Sequence, residues 1–181
     1  ADRFSFGQRF GGPGEVAGHV LVESGTASGR QPTATVELRS YLGAFLTERG
    51  VSLGAEDEGG FTMLLLHFRR TFVEKLFAIH SKVELLKRDG RAIGSYARHY
   101  YDLYQLAGRP EVIAMLASDE YGTIKADYDA ISRDHFPRSY FAPENMSFSG
   151  SDALFPSEGL EANISAEYEA QRKLSMTLRH Q

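Results

Sequence analysis

The stretch RTFVEKLFAIHSKVELLKRDG, residues 70–90, decides the fold. Its apolar positions Phe72, Leu76, Ile79, Val83 and Leu86 recur at spacings of three and four, the period of a helix with one buried stripe. Asp89 and Gly90 then supply a stop, since glycine just past the last apolar position readily takes the conformation that ends a helix. An amphipathic helix from Arg70 to about Arg88 is therefore expected in the middle of the chain.

Upstream of it the period changes to two. Phe61 to Phe68 reads as a strand, and Thr33 to Arg39 alternates Thr33, Thr35, Glu37 and Arg39 with Ala34, Val36 and Leu38, the pattern of a strand buried on one side. Val16 to Glu23, rich in β-branched residues and bounded by Ser24-Gly25, is a further strand and an expected neighbour of the Thr33 strand. Ser40 is placed to cap a short helix through Leu46, and Glu56-Asp57-Glu58-Gly59-Gly60 forms an exposed acidic turn. The first fourteen residues, with Gly7, Gly11, Gly12, Pro13 and Gly14, read as a loop.

Downstream the chain is helical. Tyr96, Tyr100, Leu103 and Leu106 repeat the helical spacing up to Gly108 and Pro110, and residues 110–118 and 120–135 form two more helices. Pro137, Pro143 and Pro156 punctuate a long loop over 137–158, and a last helix runs from about Leu160 to Leu178. Strands first and helices after imply an α+β fold.

Composition narrows the function classes. The chain of 181 residues contains no cysteine, which excludes disulfides and thiolate metal sites and favours a reducing, cytoplasmic setting. No apolar run approaches the roughly 18 to 20 residues of a membrane span, and the N-terminus has no signal-peptide pattern. Net charge is −4, but residues 69–98 hold eight Lys or Arg against three acids. Such a basic island either attracts phosphates or is a solvated helix face.

Within that island, Arg69, Arg70 and Thr71 open a helix directly after a strand, where free N–H groups and the dipole could dock a phosphate. Lys75 falls between Phe72, Leu76 and Ile79, at the edge of the buried face, and could be either a surface or a catalytic lysine. Asp102 has Arg98 four residues before it, so an ordinary intrahelical pair is the plain reading. Glu23 ends a strand at a turn, a position from which a carboxylate can reach a cleft. The six histidines show no zinc-binding spacing, and His80 and His99 read as packed or hydrogen-bonded helix residues; no metal site is expected from them. Dinucleotide, P-loop and serine-hydrolase motifs are absent.

Four segments taken in order carry a resemblance. Leu21-Val22-Glu23-Ser24-Gly25-Thr26, Glu37-Leu38-Arg39-Ser40-Tyr41, Arg70-Thr71-Phe72-Val73-Glu74-Lys75-Leu76 and Ser95-Tyr96-Ala97-Arg98-His99-Tyr100-Tyr101-Asp102-Leu103 resemble segments of the AbiEii/AbiGii-type nucleotidyltransferase toxins of toxin-antitoxin and abortive-infection systems. The resemblance implies a nucleotidyltransferase fold of the polymerase-β type, with a mixed sheet followed by a C-terminal helical bundle. Residues 1–68 would then be a remnant of the sheet region, and 69–181 the helical domain carrying the lysine and aspartate motifs.

It also implies roles. Lys75 and Asp102 match the family's active-site lysine and aspartate, with Lys75 neutralising nucleotide phosphates and Asp102 orienting Lys75 or a polar group of the nucleotide. Glu23 matches a late sheet carboxylate that supports metal or activates the acceptor hydroxyl, and Arg98 would steady the site. The implied substrate is an NTP, the implied cofactor Mg2+, the implied acceptor tRNA, another RNA or a protein, and the implied partner a cognate antitoxin.

The departure lies at the beginning. The family opens with a GGT-A/S-L segment and a D-x-D pair that holds magnesium, and nothing from Ala1 onward matches either. The chain is therefore expected to be a fragment of a longer enzyme, inactive alone. Two other functions compete with that reading: an inactive RNA- or antitoxin-binding module, and a helical interaction domain whose charges are merely solvated.

Overall fold

The computed structural model describes residues 2–5, 7, 18–22, 28–52, 54 and 59–177, without the side chains of 173–177. The architecture is α+β, with strands β1 (Asp2–Ser5), β2 (His19–Val22), β3 (Thr33–Leu38) and β4 (Phe61–Leu66). Helix α1 (Tyr41–Glu48) lies between β3 and β4, and α2 (Phe68–Asp89) follows them. A 3-10 segment (Gly94–Arg98) leads into α3 (His99–Ala107), α4 (Pro110–Leu116), α5 (Asp119–His135) and α6 (Glu158–Thr177).

The strands form two antiparallel ladders, β1 with β2 and β3 with β4. Two expectations need correction here. Asp2–Ser5 is a strand and not loop, because the glycines that suggested a loop all follow it. β2 and β3 belong to different ladders: β3 pairs instead with β4, in a register that sets Val36 beside Met63 and Leu38 beside Phe61. Such apolar cross-strand pairs on one face favour that partner. That face is not buried as the alternation suggested, with Val36 37%, Met63 47% and Phe61 59% exposed. The acidic turn at Glu56 to Glu58 and the candidate Glu23 lie outside the described residues.

Helix α2 organises the rest. His67 caps its start, accepting the Arg69 N–H on Nδ1 at 3.2 Å, and Gly90, at φ 67°, ends it by donating to the Leu86 carbonyl at 2.9 Å. Phe72, Val73, Leu76, Phe77, Ile79 and Val83 are buried along it, so its expected apolar stripe is the core of the molecule, with Leu86 half-buried at its end. Leu103, Val112, Met115, Ile124 and Ile164 close over that stripe from the later helices. Among the described residues, no buried core position comes from a strand.

The expected helix through Tyr96 begins as a 3-10 turn. Gly94 sits at φ 61°, a conformation glycine takes without strain. The Glu167 carboxylate of α6 accepts the N–H groups of Ile93 at 3.1 Å and Gly94 at 2.5 Å, holding the head of the 3-10 turn that leads into α3. Replacing Glu167 with alanine strands two backbone donors and is expected to cost about 2 kcal/mol, read as a lower midpoint in urea with an unchanged slope. No helix among the described residues is long and apolar enough to cross a membrane.

Candidate active site

Helices α2 and α3 pack so that Lys75 meets the first turn of α3. The Lys75 ammonium donates to Asp102 Oδ2 at 2.8 Å and lies 2.9 Å from His99 Nδ1. His99 and Asp102 are three residues apart and so share a helical face. Both sit in the first turn of α3, where the positive end of the helix dipole favours a carboxylate.

The protonation states follow from the donors available. An ammonium has no acceptor, so His99 must accept on Nδ1 and carry its proton on Nε2. The 3.5 Å approach of His99 Nδ1 to Asp102 Oδ2 is then two acceptors sharing one lysine. Burial holds His99 below its ordinary pKa, and the Lys75 charge adds to that. Burial alone would push the Asp102 carboxyl up, but the hydrogen bond and charge of Lys75 hold it below the usual carboxylate range. Lys75 commits two of its three N–H donors, and its side chain is 20% exposed, which leaves one donor for an incoming oxygen.

The partner of Asp102 is thus Lys75, 27 residues away, and not Arg98 of its own segment. Arg98 closes the 3-10 turn, where the four-residue spacing of an α-helix is not maintained. It is exposed, and its charge reaches the site by helping to lower His99.

Arg69 and Arg70 lie elsewhere on α2, whereas Thr71, one turn before Lys75, shares its face. Five residues separate Arg70 from Lys75, placing them on different faces, and their contacts go to different elements. Arg69 pairs with Glu120 of α5 at 3.0 Å. Arg70 is 1% exposed and bonds Glu74 at 2.7 Å, Asp127 of α5 at 2.7 Å and the Gln31 carbonyl at 2.8 Å. The Thr71 N–H, like that of Arg70, points back to the His67 carbonyl, so the N-terminal donors of α2 are largely engaged.

His99 is the residue missed by sequence reasoning. Its spacing to Asp102 was visible, but its contact with Lys75, 24 residues away, depends on how α2 and α3 pack. His80, buried where His99 is only partly so, is structural: Nδ1 bonds Ser151 Oγ at 2.8 Å, pinning the long loop to α2. Burial holds its pKa below the ordinary value, against the attraction of Glu84.

Both histidines bind a proton less readily folded than unfolded. Stability is therefore expected to be full above about pH 6.5, the ordinary histidine value, and to fall as the pH drops toward the depressed ones. Urea unfolding from pH 8 to 5 measures this, and His80→Gln should flatten much of the fall.

Among the described residues, no three of His, Asp and Glu converge where a metal could be held. The carboxylate in the cluster, Asp102, already serves Lys75, so the described residues do not fit the implied magnesium site.

The sequence model of the family described as Nucleotidyl transferase AbiEii toxin, Type IV TA system, matches residues 2–177. No curated protein and no solved structure matches the chain. With a match over nearly its whole length, the chain belongs to the AbiEii nucleotidyl transferase toxin family of type IV toxin-antitoxin systems.

Proposed function

We propose that this chain carries the phosphate-binding part of a nucleotidyl transfer reaction, with Lys75 as the residue that meets an NTP. In that reaction an acceptor hydroxyl oxygen bonds to the α-phosphorus and gives up its proton to solvent, the bond from that phosphorus to the oxygen bridging to the β-phosphate breaks, and pyrophosphate leaves. The acceptor is an RNA or a protein, and the setting is the cytoplasm. Arg69 and Arg70 serve the scaffold in this reading, and Lys75 carries the phosphate contact. Membership of a toxin-antitoxin family implies a cognate antitoxin as partner.

The observation that supports this reading is the state of Lys75: charged, aimed by Asp102 and His99, and left with one uncommitted donor at a partly open surface. Asp102 orients the ammonium, and neutral His99 holds it without competing for the phosphate. Charged hydrogen bonds of this kind justify an expected loss of about ten- to a hundredfold in NTP affinity for Lys75→Gln. Calorimetric titration of the chain with each of the four NTPs tests it. Unchanged affinity would sink the proposal. A binding role without chemistry, resting on free arginines at the start of α2, is less well supported, because Arg69 and Arg70 are both held by carboxylates.

A further inference from the structure

The face of α2 that carries Lys75 continues to Lys82. Seven residues are two helical turns, so the two lysines lie on one side of the helix, about 10.5 Å apart along its axis. The Lys82 ammonium rests 4.1 Å from the centre of the Tyr96 ring. Tyr96 in turn stands edge to face with His99, ring centres 5.4 Å apart at 88°. His99 touches Lys75. Ammonium, imidazole, phenol ring and ammonium therefore follow one another without a break.

Two further features set this line apart from an ordinary surface pair. Tyr96 is 39% exposed while Ile93 and Ala97 beside it are buried, so the ring is turned outward. Among the described residues, Lys82 makes no ion pair of 4.0 Å or less with a carboxylate, whereas Arg69, Arg70, Lys75, Lys87 and Arg88 all do. Arg98, exposed nearby, adds positive charge. A cation lying on a partly exposed ring is a weak contact, readily exchanged for a flat aromatic ligand that brings its own negative charge. A nucleobase with an attached phosphate has that chemistry, whereas an acidic peptide would use the cations and leave the ring idle.

We propose that Tyr96 and Lys82 form a nucleobase-stacking subsite next to Lys75, in which the base takes the ring and Lys82 turns to a neighbouring phosphate. This rests on the reading of Lys75 as the phosphate ligand. The base belongs either to the NTP or to a single-stranded RNA, and the chemistry of recognition is the same for both.

The test uses the full chain with Tyr96→Leu, Tyr96→Phe and Lys82→Gln, and three probes: ATP, a fluorescent twelve-nucleotide oligo(A), and inorganic tripolyphosphate as the base-free control. Tyr96→Leu should weaken ATP or oligo(A) binding about tenfold, and the probe that loses affinity identifies the source of the base. Tyr96→Phe should retain it, and tripolyphosphate should bind Tyr96→Leu as it binds the parent. Lys82→Gln should weaken the same probe and flatten its salt dependence. Unchanged binding of both base-containing probes by Tyr96→Leu overturns the subsite, as does an equal loss for tripolyphosphate. Should Tyr96→Leu fail to fold, unchanged binding by Lys82→Gln overturns it alone. Lys75→Gln that keeps its tripolyphosphate affinity would instead refute the reading of Lys75 and leave the stacking result standing.

Discussion

Phe77→Ala is expected to destabilise the protein by about 3 to 5 kcal/mol, enough to lower the thermal midpoint by roughly 10 °C in a chain of this size. Phe77 is fully buried at the centre of α2, stacked on Tyr128 at 4.8 Å and edge-on to Phe148 at 5.0 Å. Its removal leaves a cavity bounded by α5 and by the loop before α6, which cannot all move inward at once. Phe77→Leu should recover more than half of the loss. Calorimetry of both variants measures it, and a loss under about 1 kcal/mol for alanine would mean that α2 is not the core of the fold.

Arg70 should behave as a structural residue. Arg70→Ala strips Glu74, Asp127 and the Gln31 carbonyl of a shared donor, and is expected to cost about 3 kcal/mol, the low end for a broken buried pair because Asp127 is half-exposed and can rehydrate. The backbone at Gly29 gives the finer test. A Cβ added there would stand 1.5 Å from Arg70 Nη2, so Gly29→Ala must displace the guanidinium. In the Arg70→Ala background the same change should cost almost nothing. Additive losses in this double-mutant cycle would show that the two positions do not touch.

The helical half of the molecule was legible because its signals are local. The spacing of Phe72, Leu76, Ile79 and Val83, the stop at Gly90 and the Ser40 cap each lie within one element, and each appears as expected. What failed needed distance. The alternation of Ala34, Val36 and Leu38 marks one face of a strand but says nothing about what covers it, and no described core residue does. Glycines at Gly7 and beyond coloured the reading of Asp2–Ser5, whose pairing with β2 is settled by residues 19–22.

The candidate site divides in the same way. Lys75 and Asp102 were reached through family resemblance, since neither their types nor their spacing singles them out, and the structure brings them into contact. Arg70 looked like a phosphate ligand because it is a cation at a helix start; the loop at Gln31 and the Asp127 carboxylate, both remote in sequence, show what it holds. His99 was hidden for the opposite reason. A histidine three residues before an aspartate looks ordinary until a lysine from another helix arrives between them.

The 3-10 turn that delivers the chain into α3, the helix of His99 and Asp102, is held at its head by the Glu167 side chain, more than seventy positions away in sequence. A chain shortened ahead of α6 would still encode every member of the cluster, yet would lose the brace that sets their angle to Lys75. For this protein an inventory of the cluster's residues is thus a poor guide to its geometry, and an engineered minimal version has to keep α6.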